Sequence, residues 1–119
     1  MTKVTQVLGA YGEQRAADHL AGAGLLPVDR NWRCSLGEID LVARDGEVVV
    51  FCEVKTRRGD RYGDPLEAVH PRKVARLRRL AEHWLAVHGD PGTQVRFDVV
   101  GVLVGAGGRA RVDHVRGAF

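Results

Sequence analysis

The sequence predicts a single α/β domain in the order αβββαββ, a mixed sheet with helices packed on it. Three observations carry that expectation. Apolar residues recur at helical spacing in two separate segments, 5–22 and 71–88. Between them, strand-like segments flank Asp45-Gly46, a strong two-residue turn signal. A last apolar run, Val99 to Val104, follows the second helical segment. At 119 residues the chain has room for one modest core, so residues 1–119 read as one domain.

Each element follows from its local pattern. From about Thr5 to Gly22, Ala16, Ala17 and Leu20 form a helical stripe, and the Gly22/Gly24 pair supplies a stop. Glu13 heads that stripe, three, four and seven residues before its apolar members, which sets it on or beside the face turned to the core. The plainer reading is a glutamate at the stripe's edge reaching solvent. Leu26 to Arg33 reads as a first strand, and Leu36 to Arg44 with Glu47 to Thr56 as a hairpin. The segment Arg57 to Pro65 is polar and glycine-bearing, hence an exposed loop. Pro71 to His88 is the second helix, with Val74, Leu77, Ala81 and Trp84 as its buried line. Thr93 to Val104 and Arg109 to Val115 are the closing strands, joined by a glycine-rich turn from Gly105 to Gly108.

Composition removes several classes of function. A chain that is 45% hydrophobic and 28% charged is an ordinary globular protein rather than a disordered one. Its apolar runs are too short to span a bilayer and its first residues lack a basic-then-apolar leader, so the expectation is a cytoplasmic protein with no membrane partner. Cys34 and Cys52 are too few for a disulfide framework or a zinc cluster and read as free thiols, with a single bridge between them left open. His83 and His88 have no paired cysteines to complete a zinc finger, and no phosphate-cradling glycine motif is present. The net charge of +3 leans only weakly toward a polyanion, but its distribution says more. Arg57, Arg58 and Arg61 crowd one loop, while Arg72, Lys73, Arg76, Arg78 and Arg79 crowd a helix.

The hairpin raises a sharper question, because it places Asp40, Glu53 and Lys55 among strand residues, where unpaired charge is costly. Alternation along the strands gives Glu38, Asp40 and Val42 one face, and gives Phe51, Glu53 and Lys55 one face. A loop at Asp45-Gly46 sets Asp40 diagonal to Glu53, at roughly 7–8 Å. A loop at Gly46-Glu47 sets them directly opposite. Both registers put Asp40, Glu53 and Lys55 on the same face. Two neighbouring carboxylates raise each other's pKa unless a cation sits between them, and hard oxygen donors suit Mg²⁺ or Mn²⁺. Lys55 is placed to orient a water or to stabilise charge on a phosphate, and the Val54 carbonyl is a further candidate ligand. The alternative is a set of salt bridges on a solvated face. Glu38 shares the face of Asp40 and is a candidate outer ligand, but its place just after Gly37 favours a turn-side carboxylate, and Asp98 reads as a structural partner for an arginine.

Arg72, Arg76, Arg79 and His83 share one side of the second helix, as either a track for a phosphate backbone or a solvated face. The loop arginines Arg57, Arg58 and Arg61, directly after Lys55, are better placed to hold phosphates near a metal. No base-reading motif is present, so recognition of backbone and shape is expected.

Gly12-Glu13 in the first helix, then Gly37-Glu38-Ile39-Asp40-Leu41-Val42-Ala43, then Phe51-Cys52-Glu53-Val54-Lys55-Thr56-Arg57, resembles the PD-(D/E)xK nuclease superfamily. More narrowly the chain is similar to the YraN family of small bacterial proteins, themselves similar to archaeal Holliday-junction resolvases. The likeness extends through Arg30-Asn31, Gly63-Asp64-Pro65-Leu66-Glu67-Ala68-Val69, Lys73 and Arg96-Phe97-Asp98-Val99-Val100, nearly the whole chain. It implies a restriction-endonuclease-like fold and metal-dependent hydrolysis of phosphodiesters. Asp40 and Glu53 would be metal ligands, Lys55 the catalytic lysine, and Glu13 the helix carboxylate supporting the metal or its waters. It also implies a homodimer acting on branched or structured DNA. A silent nucleic-acid-binding or recruiting module of the same fold, or an RNA-processing nuclease, are the alternatives. The superfamily's proline is absent, with Ile39 preceding Asp40.

Overall fold

The run Val48-Val49-Val50-Phe51-Cys52 has no polar face, which is the pattern of a strand covered on both sides. In the computed structural model, which describes residues 3–59, 70–89 and 92–119, that run opens the central strand of a five-stranded sheet. The elements are α1 (Lys3–Gly22), β1 (Leu26–Cys34), β2 (Gly37–Asp45), β3 (Val48–Arg58), α2 (Pro71–His88), β4 (Val95–Val104) and β5 (Ala110–Val115), with a short 3-10 turn at Ala106–Gly108. The αβββαββ order and the mixed sheet are those expected. Spatial strand order equals chain order, with β3 and β4 parallel and the other neighbours antiparallel. A parallel pair needs a long crossover, and the segment containing α2 provides it.

One helix covers each face. Ala16, Ala17 and Leu20 of α1 pack with Leu41, Ala43, Val50, Cys52, Val100 and Val102. Leu77, Leu80, Ala81 and Trp84 of α2 pack with Ile39, Val42, Val49, Phe51 and Phe97 on the other face. The α2 bounds match the sequence because both ends are chemically marked. His70 Nδ1 accepts the Arg72 N–H at 3.1 Å, Pro71 occupies the first turn, and Gly89 closes the helix at φ 65°. Trp84 is buried, donating its indole N–H to Asp29 Oδ2 at 3.0 Å and stacking on His88, so it is a packing residue as read. Cys34 and Cys52 are both free. No described helix is long and apolar enough to cross a membrane.

Two expectations are corrected. The β3 strand runs past Thr56 to Arg58, because Arg57 and Arg58 pair with Leu103 and Val104 of β4. Those arginines therefore sit at a strand end rather than in a loop, while Arg61 and the segment 63–69 lie outside the described residues. The hairpin closes at Gly46-Glu47, not Asp45-Gly46, since Asp45 pairs with Val48. Gly46 takes φ 61° at the first central position, a conformation for which glycine is suited.

Asp98, level with Cys52 of β3 and fully buried, fastens the β4–β5 side of the sheet. Its carboxylate accepts from Arg96 Nε at 2.8 Å and Nη2 at 3.0 Å, from the Gly117 N–H at 3.0 Å, and lies 2.7 Å from His114 Nε2. Arg96 also reaches Asp45 at 2.7 Å, tying β4 to the hairpin. As expected, Asp98 is an arginine's structural partner. The β2–β3 side is different. The β2–β3 ladder stops at Leu41↔Cys52, whereas β1–β2 pairing continues to Cys34↔Gly37 and β3–β4 pairing to Arg58↔Val104. Past that point β2 and β3 part company, forming a fork.

Candidate active site

The charged residues of the hairpin lie at the fork. The last ladder pair, Leu41↔Cys52, leaves Asp40 and Glu53 as the next residues on the two arms of the fork, the register of the second arrangement considered from sequence. The Val54 N–H meets the Asp40 side chain, with Oδ2 accepting it at 2.9 Å. Carboxylate oxygens of Glu13, Glu38 and Asp40 lie within 4.8 Å of one another, although they come from α1 and β2. Gly12 is what lets α1 approach so closely. A Cβ there would fall 2.8 Å from Thr56 Cβ and nearer still to its Oγ1. Only hydrogen fits, and the adjoining Glu13 is carried to the fork.

Glu53 is only 7% exposed and has two cations at the same oxygen. Lys73 Nζ is 2.6 Å and Lys55 Nζ 3.3 Å from its Oε1. Glu38 is also paired, its Oε2 lying 3.1 Å from Arg33 Nε. A pocket of about 220 Å³ opens here, lined by Gly37, Glu38, Asp40, Glu53, Lys73, Arg76, Leu77 and Leu80. Burial pushes the Asp40 carboxyl up to about 7, helped by Glu53, Glu13 and Glu38 and opposed by the Val54 N–H. Burial and the adjacent Lys73 ammonium hold Lys55 below the usual lysine range, against the pull of Glu53. The centre combines clustered acid with a less basic lysine.

The profile described as Uncharacterised protein family UPF0102 matches residues 12–102, a span holding every carboxylate and lysine just described. The chain belongs to the UPF0102 (YraN) family. It is 56% identical over 117 residues to a UPF0102 protein of Frankia casuarinae, covering 98% of this chain and 99% of that one. A UPF0102 protein of a Nocardioides species is 56% identical over 114 residues, with 96% and 92% covered. One from Streptomyces coelicolor is 55% identical over 112 residues, with 92% and 86% covered.

In this UPF0102 chain Glu13, Asp40, Glu53 and Lys55 converge as the sequence reading grouped them. The Val54 N–H is donated to Asp40, which brings the Val54 backbone to the same fork. Two residues were underrated. Glu38, for which the turn-side role is the favoured reading over an outer ligand, joins Glu13 and Asp40, in keeping with its two-residue spacing from Asp40. Lys73, grouped in the sequence with the basic residues of the second helix as a nucleic-acid contact, touches Glu53 directly. It heads the Leu77/Leu80/Trp84 stripe much as Glu13 heads the α1 stripe, so helical spacing carried that signal as well. Arg76 lines the pocket, whereas Arg72 and Arg79 are exposed residues outside its lining. Arg57 and Arg58 are exposed two and three residues beyond Lys55. The donor set fits a divalent cation, being made of hard oxygens close enough to repel and gathered around a partly buried carboxyl with a raised pKa.

Proposed function

We propose that this chain is a Mg²⁺- or Mn²⁺-dependent endonuclease that hydrolyses phosphodiesters in structured or branched DNA. The observation that carries the reading is the meeting of Glu13, Glu38 and Asp40 within 4.8 Å beside the Glu53–Lys55–Lys73 group. Asp40 and Glu53, supported by Glu13, would hold the cation, which supplies a Lewis acid for a phosphoryl oxygen and lowers the pKa of water. The chain's own residues do the remainder. Asp40 is fixed by the Val54 N–H, and Glu53 is steered by Lys55. The Lys55 ammonium stabilises negative charge gathering on the phosphate, and its weakened hold on its proton suits transfer to a departing oxygen. Arg57 and Arg58, with Arg76 in the pocket, hold flanking phosphates without reading bases. Two cuts in a branched substrate require two centres, so the reading includes a homodimer.

The deciding experiment is cleavage of labelled four-way junction, flap, single-stranded and duplex DNA, with matched RNA, in Mg²⁺, Mn²⁺ or EDTA. Wild-type protein is expected to cut a branched DNA only with metal, and Glu53→Gln to lose at least about a hundredfold in rate. Lys55→Ala should slow cleavage more than it weakens metal binding. Equal cutting by Glu53→Gln sinks the reading. A second reading, a recruiting module that binds without cutting, is favoured by one observation: Glu53 already has two lysine partners. Binding without cleavage of every substrate selects it, and preferential cutting of RNA selects the processing enzyme.

A further inference from the structure

The nuclease reading leaves one contact unexplained. Lys55 already stands beside Glu53 on the same strand, yet Lys73 crosses from α2 to make the shorter ion pair, 2.6 Å against 3.3 Å. The two lysines differ in freedom. Lys55 belongs to β3, in register with Gly101 of β4, and its side chain is 19% exposed. Lys73 projects from the first turn of α2, with its side chain 38% exposed. A divalent cation at Glu53 would bring a third positive group to one carboxylate, and mutual repulsion would expel the most exposed and flexible of them. Arg76, three residues further along α2, lines the same pocket as Lys73. Two cations about one turn apart suit the oxygens of one phosphate.

We propose that Lys73 is a positioning residue that changes partner: it holds Glu53 in the metal-free protein and, once a divalent cation takes that carboxylate, turns with Arg76 to a backbone phosphate. The inference rests on the proposed nuclease site and adds an order of events to it. Lys73 and the metal compete for Glu53, so removing the amine strengthens metal binding. Metal and nucleic acid, in contrast, reinforce each other, because the cation frees the group that receives the phosphate.

The test compares wild type, Lys73→Gln, Lys73→Arg and Glu53→Gln. Mn²⁺ affinity is measured by paramagnetic resonance of the free ion, and binding of a fluorescein-labelled four-way DNA junction by anisotropy in EDTA and in Ca²⁺. Lys73→Gln is expected to bind Mn²⁺ about tenfold tighter than wild type, equivalent to about 1.4 kcal/mol, and to lose the Ca²⁺ enhancement of junction binding. Lys73→Arg, which keeps the charge, should stay within about threefold of wild type on both measures. A folded Lys73→Gln protein whose Mn²⁺ affinity is unchanged or weaker overturns the exchange, as does one that keeps the full Ca²⁺ enhancement. A lysine that merely braces α2 would lower the melting temperature without tightening Mn²⁺. Failure of the nuclease site itself gives a different signature, Mn²⁺ binding by Glu53→Gln equal to wild type, and that removes both readings.

Discussion

Asp40, half-buried, and Asp98, fully buried, are both strand carboxyls, yet their protons respond to pH in opposite senses. Asp40 is raised from 3.8 to about 7, so between those values the folded chain keeps a proton that the unfolded chain has released. Its contribution to stability is complete below pH 3.8 and is lost as pH rises through 7. Metal-free Asp40→Asn is therefore expected to melt a few degrees higher than wild type at pH 8 and to approach it near pH 4, with Mn²⁺ stabilising wild type alone. Asp98 is lowered to about 2, against the effect of its burial, by His114, Arg96 and the Gly117 N–H. Its contribution is present above 3.8 and is lost as pH falls through 2. Asp98→Asn leaves the half-buried Arg96 guanidinium without its anionic partner and should cost about 3 kcal/mol in urea unfolding. The grouping of Asp40, Glu53 and Lys55 was legible because strand alternation alone puts them on one face. The Lys73–Glu53 contact was not, because it depends on how α2 lies across the sheet.

At the scale of elements, the approach of α1 to β3 through Gly12 and Thr56 sets the position of Glu13. Gly12→Ala is expected to push the helix outward, costing about 1–3 kcal/mol in stability and weakening Mn²⁺ binding. Adding Thr56→Ala should recover part of both, as read by thermal melts and metal titration of the single and double variants. The helices were legible from stripes and end signals, down to both bounds of α2. The hairpin was legible as a hairpin but not in register, since Asp45-Gly46 and Gly46-Glu47 are both acceptable turns and the choice rests on sheet packing. The extension of β3 through Arg57 and Arg58 was hidden for a related reason. Arginines read as loop residues until a parallel neighbour, remote in sequence, takes up their backbone groups.

For the molecule as a whole, the sheet is fastened through Asp98 on its β4–β5 side and divided where β2 and β3 part, and acidic side chains are concentrated at that fork. Exposed Arg57 and Arg58 lie at the tip of the central strand, beyond Lys55. If nucleic acid lies across that end, Arg57→Ala/Arg58→Ala should weaken junction binding and reduce the slope of log affinity against log salt by about 2. An unchanged slope would take the two arginines out of the binding surface. The fold class was legible because each segment's periodicity agrees with its place in the sheet. Net charge alone did not point to this end of the molecule, since +3 on 119 residues says nothing about where the charge lies.

The fork also governs how inactive variants have to be interpreted. Past Cys52 the Val54 N–H is received by the side chain of Asp40. Alanine at position 40 would strip a half-buried amide of its acceptor, so lost cleavage and a loosened strand would arrive together and neither could be assigned a cause. Asparagine keeps a carbonyl oxygen for that amide while discarding the negative charge. A silent Asp40→Asn protein whose Val54 amide still resists hydrogen exchange would speak about chemistry, where a silent Asp40→Ala protein would speak only about damage.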